Sequence, residues 1–151
     1  MRLISFFLIL LLGATACAGQ TSHSLFPTIP GDTSLPPSWA ADLYEFYPRD
    51  GTRHIGLNTS ITIKFGSYWH DRDDESFLPA QIGLETYCFG WTAVRTELSP
   101  LSPYEWRLDP GSGSLSPDSK YRIWVTTRNG WMYSAVFWTG DESGDDDYWG
   151  W

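Results

Sequence analysis

The sequence predicts an all-β fold, a single antiparallel β-sandwich of about seven strands, and three observations carry that prediction. Apolar and polar residues alternate over short runs, most cleanly at Ile61-Thr62-Ile63-Lys64-Phe65 and Tyr121-Arg122-Ile123-Trp124-Val125. That period of two marks strands with one buried face. Turn chemistry recurs roughly every ten residues, as at Pro48-Arg49-Asp50-Gly51, Ser99-Pro100-Leu101-Ser102-Pro103 and Asn129-Gly130. The composition, 42% hydrophobic and 17% aromatic with 14 Gly and 10 Pro among 151 residues, suffices for one packed core and disfavours long helices.

Residues 1–16 have the layout of an export signal: Arg2, an apolar run from Leu3 to Leu12, then small residues. The run is shorter than the roughly 18 to 20 residues that a membrane-spanning helix needs. Ala14-Thr15-Ala16-Cys17 resembles a bacterial lipobox, which implies a lipidated Cys17 as first mature residue and anchorage in the cell envelope. The same residues fit the A-x-A site of ordinary signal cleavage, which implies a secreted protein. Residues 17–40, with Pro27, Pro30, Pro36 and Pro37 among Ser, Thr and Gly, read as an extended tether.

From residue 41 the strands follow in order. Tyr44 and Phe46 suggest the first, and Ile61, Ile63 and Phe65 give the second an inner face, with Thr62 and Lys64 outward. After a polar loop, Gln81 to Phe89 is extended, Ala93 to Leu98 is a weaker strand, and Trp106 and Leu108 lead to a stop at Pro110. Tyr121, Ile123 and Val125 then face the core, which turns Trp124 outward. Asn129-Gly130 reads as a two-residue type I′ hairpin loop before a final strand, Tyr133 to Thr139. Residues 141–151 hold five acids and end in Tyr148-Trp149-Gly150-Trp151, and read as a tail.

Tyr47-Pro48-Arg49-Asp50-Gly51, Leu57-Asn58-Thr59-Ser60-Ile61 through Phe65, Leu115-Ser116-Pro117-Asp118-Ser119-Lys120-Tyr121 and Ala135-Val136-Phe137-Trp138-Thr139-Gly140 together resemble bacterial Ig-like domains of the S-layer (SbsA-like) type. The resemblance spans about residues 47–140. It implies an Ig-like sandwich at 41–140, non-catalytic, serving as a structural or protein-interaction module of a surface protein. It also requires Phe137 inside. A two-residue hairpin would set Ile123 opposite Val136 and turn Phe137 outward, so a bulge is expected near Trp131 or Tyr133.

The net charge of −8, from 18 acids and 10 bases, weighs against nucleic acid as a partner. Two cysteines, Cys17 and Cys88, cannot build a disulfide framework or a thiolate metal site, and Cys88 reads as a small buried hydrophobe within a strand. No catalytic residue and no cofactor is expected. His23, His54 and His70 are not spaced with a second ligand, and the chain lacks a Gly-x-Ser-x-Gly elbow. Asp71, Asp73, Asp74 and Glu75 gather hard oxygen ligands in one loop, a weak calcium candidate beside the plainer reading of a solvated acidic loop.

The candidate binding surface is aromatic: Trp124, Trp131, Tyr133 and Trp138, arrayed across the last hairpin. Such a row contacts a protein partner or stacks on a glycan. Alternatively Arg122 and Arg128 cap the rings by cation–π contacts, or the tether or tail folds over them.

Overall fold

The computed structural model describes residues 27–66 and 74–141. Among the described residues eight strands form the fold: β1 (Tyr44–Tyr47), β2 (Ile61–Phe65), β3 (Pro79–Tyr87), β4 (Trp91–Val94), β5 (Thr96–Ser102), β6 (Glu105–Pro110), β7 (Lys120–Thr127) and β8 (Met132–Trp138). They pair, all antiparallel, into two four-stranded sheets of order β1-β2-β6-β5 and β4-β3-β7-β8. The architecture is an all-β sandwich.

Alternation builds the core as expected. Ile61, Ile63, Phe65 and Leu108 are buried from one sheet, and Tyr121, Ile123 and Val125 face them from the other with Leu84 and Phe137. Tyr121 stacks on Phe137 with centroids 5.5 Å apart. Its hydroxyl accepts a hydrogen bond from Ser116 N at 2.8 Å, which pins the approach to β7, where Leu115 is buried. The two phenols Tyr44 and Tyr133 pack against each other, and donate to the carbonyls of Phe77 and Ala40 at 2.8 and 3.0 Å.

The last hairpin has three loop residues, not two. Gly130 N donates to Thr127 O, and Thr127 N donates to Trp131 O, each at 2.9 Å, so Arg128 and Asn129 turn the chain and Gly130 completes it at φ +86°. That is a type I turn followed by a left-handed residue, in which glycine carries no Cβ penalty. The extra residue shifts the register so that Ile123 faces Ala135 and Tyr121 faces Phe137. Phe137 is thereby buried. The displacement falls at Gly130, in the loop, and the β8 ladder beyond it is regular.

Two further expectations change. Ser99 to Pro103 does not turn: β5 runs to Ser102, and the reversal comes at Pro103 and Tyr104. The expected strand at Ala93 to Leu98 is divided, because the chain leaves one sheet after Val94 and enters the other at Thr96. On the amino-terminal side, the stretch read as a tether is already attached by Ser34, whose N donates to Gly130 O at 2.9 Å and whose O accepts from Met132 N at 2.8 Å. Ala40 is buried, and the exposed ring of Trp39 meets Phe77 and Trp131 edge-on.

Candidate functional site

Strand register sorts the outward residues of the β4-β3-β7-β8 sheet into rows. Tyr87 lies opposite Trp91, Lys120 opposite Trp138, Glu85 opposite Arg122, and Gly83 opposite Trp124. At one end of this face the rows converge on charge. The Lys120 ammonium sits 5.3 Å from the Tyr87 ring, 5.5 Å from Trp91 and 5.3 Å from Trp138. The Arg122 guanidinium lies 4.3 Å over Trp91, and Arg53 lies 4.7 Å over Trp138. Such contacts contribute about 0.5–1 kcal/mol each at exposed sites.

Arg122 is held from behind. Its Nε donates to Glu85 Oε2 at 2.8 Å and its Nη2 reaches the same oxygen, with the Glu85 side chain almost wholly buried. The β3–β4 turn projects beyond this cluster. Cys88 N donates to Gly90 O at 2.8 Å, and Phe89, at φ +55°, is fully exposed.

The four aromatics expected to form one surface are divided by the fold. Trp138 is half-buried and belongs to the cation cluster. Tyr133 points inward, because the corrected register pairs it with Val125, and it is buried in the core. Trp131 packs half-buried between Trp39 and Phe77, at centroid distances of 5.5 Å from each. Trp124 does lie on the outward side, but it is 0% exposed. Its ring covers Gly83, where a Cβ would stand 2.6 Å from Cε2, and its Nε1 is buried without an acceptor among the described residues.

Arg128 caps no ring among the described contacts; its Nη1 pairs with Glu75 Oε2 at 2.6 Å. Asp74 accepts from Ser76 N at 3.0 Å to cap the 3₁₀ turn Glu75–Phe77, and the Ser76 side-chain and backbone donors hold its carboxyl below the usual range. Asp71 and Asp73 lie outside the described residues, among which no cluster of metal ligands occurs. Cys88 is neither in a strand nor a free thiol: it sits half-buried in the β3–β4 turn and is disulfide-bonded. The chain's other cysteine, Cys17, lies outside the described residues.

Tyr87, Phe89, Trp91, Lys120 and Arg53 escaped the sequence reading. The signal for the first three was present in Tyr87-Cys88-Phe89-Gly90-Trp91, a tight turn between two aromatics. The alternation of β7 likewise puts Lys120 and Arg122 on Trp124's side. An open groove of about 560 Å³ between β1 and β8 is lined in part by Glu45, Lys64, Glu105 and Ser134. Glu45, Lys64 and Glu105 are cross-strand neighbours of alternating sign, an arrangement that supports the sheet itself.

Comparison with protein-family models and with curated proteins finds no match to the chain.

Proposed function

We propose that the chain is an exported β-sandwich module that acts outside the cytoplasm by docking a protein partner at the end of the β4-β3-β7-β8 face, around Tyr87, Phe89, Trp91, Lys120 and Trp138. The observation that carries this reading is Lys120, one ammonium shared by three partly exposed aromatic rings beside a fully exposed Phe89. Aromatic side chains with cations at their centre have the composition of protein-binding hot spots. On a chain of net charge −8, this cationic end suits an acidic patch on the partner.

A glycan platform is the weaker alternative. Sugar stacking needs a free indole face, and Arg122 and Arg53 already occupy faces of Trp91 and Trp138. Two features support export of an Ig-like module. The disulfide at Cys88 suits an oxidising compartment. The Tyr121 hydroxyl bonded five residues upstream corresponds to the tyrosine corner of Ig-like sandwiches.

A photo-crosslinking residue placed at Phe89 in living cells tests the docking face. The expected result is a discrete crosslinked protein that weakens in Lys120→Glu, while a probe at the exposed Glu97 of the opposite sheet gives none. Equal labelling from both positions, or labelling indifferent to Lys120→Glu, overturns the proposal. A polysaccharide-dependent fluorescence shift that vanishes in Trp91→Ala would assign the face to sugar instead.

A further inference from the structure

Each sheet ends in two edge strands, and three of the four edges are guarded. Along β8, Met132 N donates to Ser34 O, Gly51 N to Val136 O and Trp138 N to Thr52 O, so the chain before and after β1 lies against that edge. β5 carries Pro100, which has no N–H to offer, at a register irregularity. β1 carries Glu45, and the Tyr44 ring packs on Tyr133 of β8. The fourth edge, β4, has none of these devices: it is Trp91-Thr92-Ala93-Val94, uncharged, without proline and in regular register with β3. A bare edge of that kind is open to pairing with another strand.

The bond from Cys88 N to Gly90 O sets the alternation of the β3–β4 ladder, in which Thr86 and Thr92, then Leu84 and Val94, are the hydrogen-bonded pairs. The N–H and C=O groups of Trp91 and Ala93 therefore point away from β3, and they find no partner among the described residues. The side chains of the same two residues lie on the outer face, opposite Tyr87 and Glu85. Positive charge is carried to this edge from a distance. Arg122 and Lys120 belong to β7, two strands away, yet the guanidinium lies 4.3 Å over Trp91 and the ammonium 5.5 Å from it. Glu85 takes Arg122 Nε and Nη2, which leaves Nη1 and the Lys120 ammonium without an acceptor among the described residues. Ala93, in the next row, is too small to screen them.

We infer that a protein partner adds an extended acidic segment to β4 as a fifth strand, with main-chain hydrogen bonds to Trp91 and Ala93 and its carboxylates on the outer face beside Arg122 and Lys120. A period of two follows for the segment. Its acids stand at alternate positions, and the residues between them are apolar, because they fall on the side of Val94, which packs on the core while partly exposed. A second copy of this chain suits the edge less well. Pairing β4 with β4 would bring two sets of Arg122 and Lys120 together, on chains that each carry a charge of −8. The inference rests on the reading of this end of the sheet as a docking face, and names how the partner is held there.

The test uses the full chain and a synthetic peptide of alternating valine and aspartate, seven residues long and blocked at both ends, with a lysine-for-aspartate counterpart as control. Amide exchange read by NMR should be fast at Trp91 and Ala93 in the free chain and slow by about tenfold with the aspartate peptide at about ten times its Kd, since a paired amide is shielded in proportion to the bound fraction. The lysine counterpart should change nothing. In cells, the crosslink from Phe89 should be lost in Ala93→Pro, which removes an outward N–H that the fold does not use. The exchange measurement needs no variant and decides the matter should Ala93→Pro not fold. Exchange unaffected at both amides overturns the added strand, and equal protection by the two peptides overturns its acidity. Protection that grows with protein concentration in the absence of peptide assigns the edge to a second copy and overturns the partner. A Phe89 crosslink unchanged in a folded Ala93→Pro overturns the added strand and keeps the docking face, whereas no crosslink from Phe89 in the parent chain overturns the docking face itself.

Discussion

The two outward faces of the sandwich are built from strands of the same alternating kind and end in different environments. On β1-β2-β6-β5 the outward residues Glu45, Lys64, Glu105, Arg107 and Asp109 are exposed or half-buried, and Arg107 pairs with Asp109 at 2.9 Å with both side chains nearly half exposed. On β4-β3-β7-β8, Glu85, Trp124 and Thr126 are as buried as the core. A period of two reports only that a strand has two sides; it does not report whether the second side meets water. β7 shows this directly, being buried without interruption from Ile123 to Thr127.

Matched substitutions on the two faces can break this comparison. The largest effect is expected for Trp124→Ala, which should lower unfolding free energy by about 3–5 kcal/mol, as for a core tryptophan. Lys64→Ala on the other face should stay within about 0.5 kcal/mol. Equal losses in denaturant unfolding would show that the faces do not differ. Breaking the ion pairs sharpens the contrast at a smaller scale. Glu85→Gln should cost about 1.5–3 kcal/mol, because Arg122 loses a charged, shielded acceptor. Asp109→Asn should cost about 0–1 kcal/mol, and a double-mutant cycle for each pair measures the difference. Gly83→Ala should cost about 1–3 kcal/mol by overpacking against the indole, and much less when combined with Trp124→Ala.

The smallest effect near neutral pH, and the one that separates the interior from both faces, is alkaline. Burial, followed by the neighbouring Tyr133, pushes the Tyr44 phenol up; burial, followed by Asp42, pushes Tyr133 up. Folded-state values raised above the ordinary value of about 10 contribute stability that is fully present below that pH and is lost as pH rises through it. Thermal midpoints should therefore hold to about pH 10 and fall beyond it. Tyr133→Phe should lessen that fall, and an unchanged alkaline slope in the variant would remove Tyr133 as a cause.

Much of the fold was legible because its determinants are local. Ile61 to Phe65 and Tyr121 to Val125 alternate, and they face the core as read. The conflict over Phe137 was legible as well, although its cure lies in Gly130 rather than in the strand: the sequence Asn129-Gly130 permits both a two-residue and a three-residue loop. Ser99 to Pro103 misled because its prolines mimic a turn, whereas edge strand β5 accommodates Pro100 across a register irregularity. Of the candidate surface, only Trp138 kept its place. The cation cluster draws Arg53, Tyr87, Trp91 and Lys120 from separate segments, and no periodicity within one strand encodes their meeting.

By itself the sequence determined the class of fold, the inner face of most strands and the acidic charge, because each depends on composition or on neighbours a few residues apart. Only the tertiary structure decided that Trp124 is interior, that Lys120 gathers three rings and that Cys88 is bonded. Those outcomes depend on which residues of separate segments are brought together, and burial belongs to the surfaces that meet.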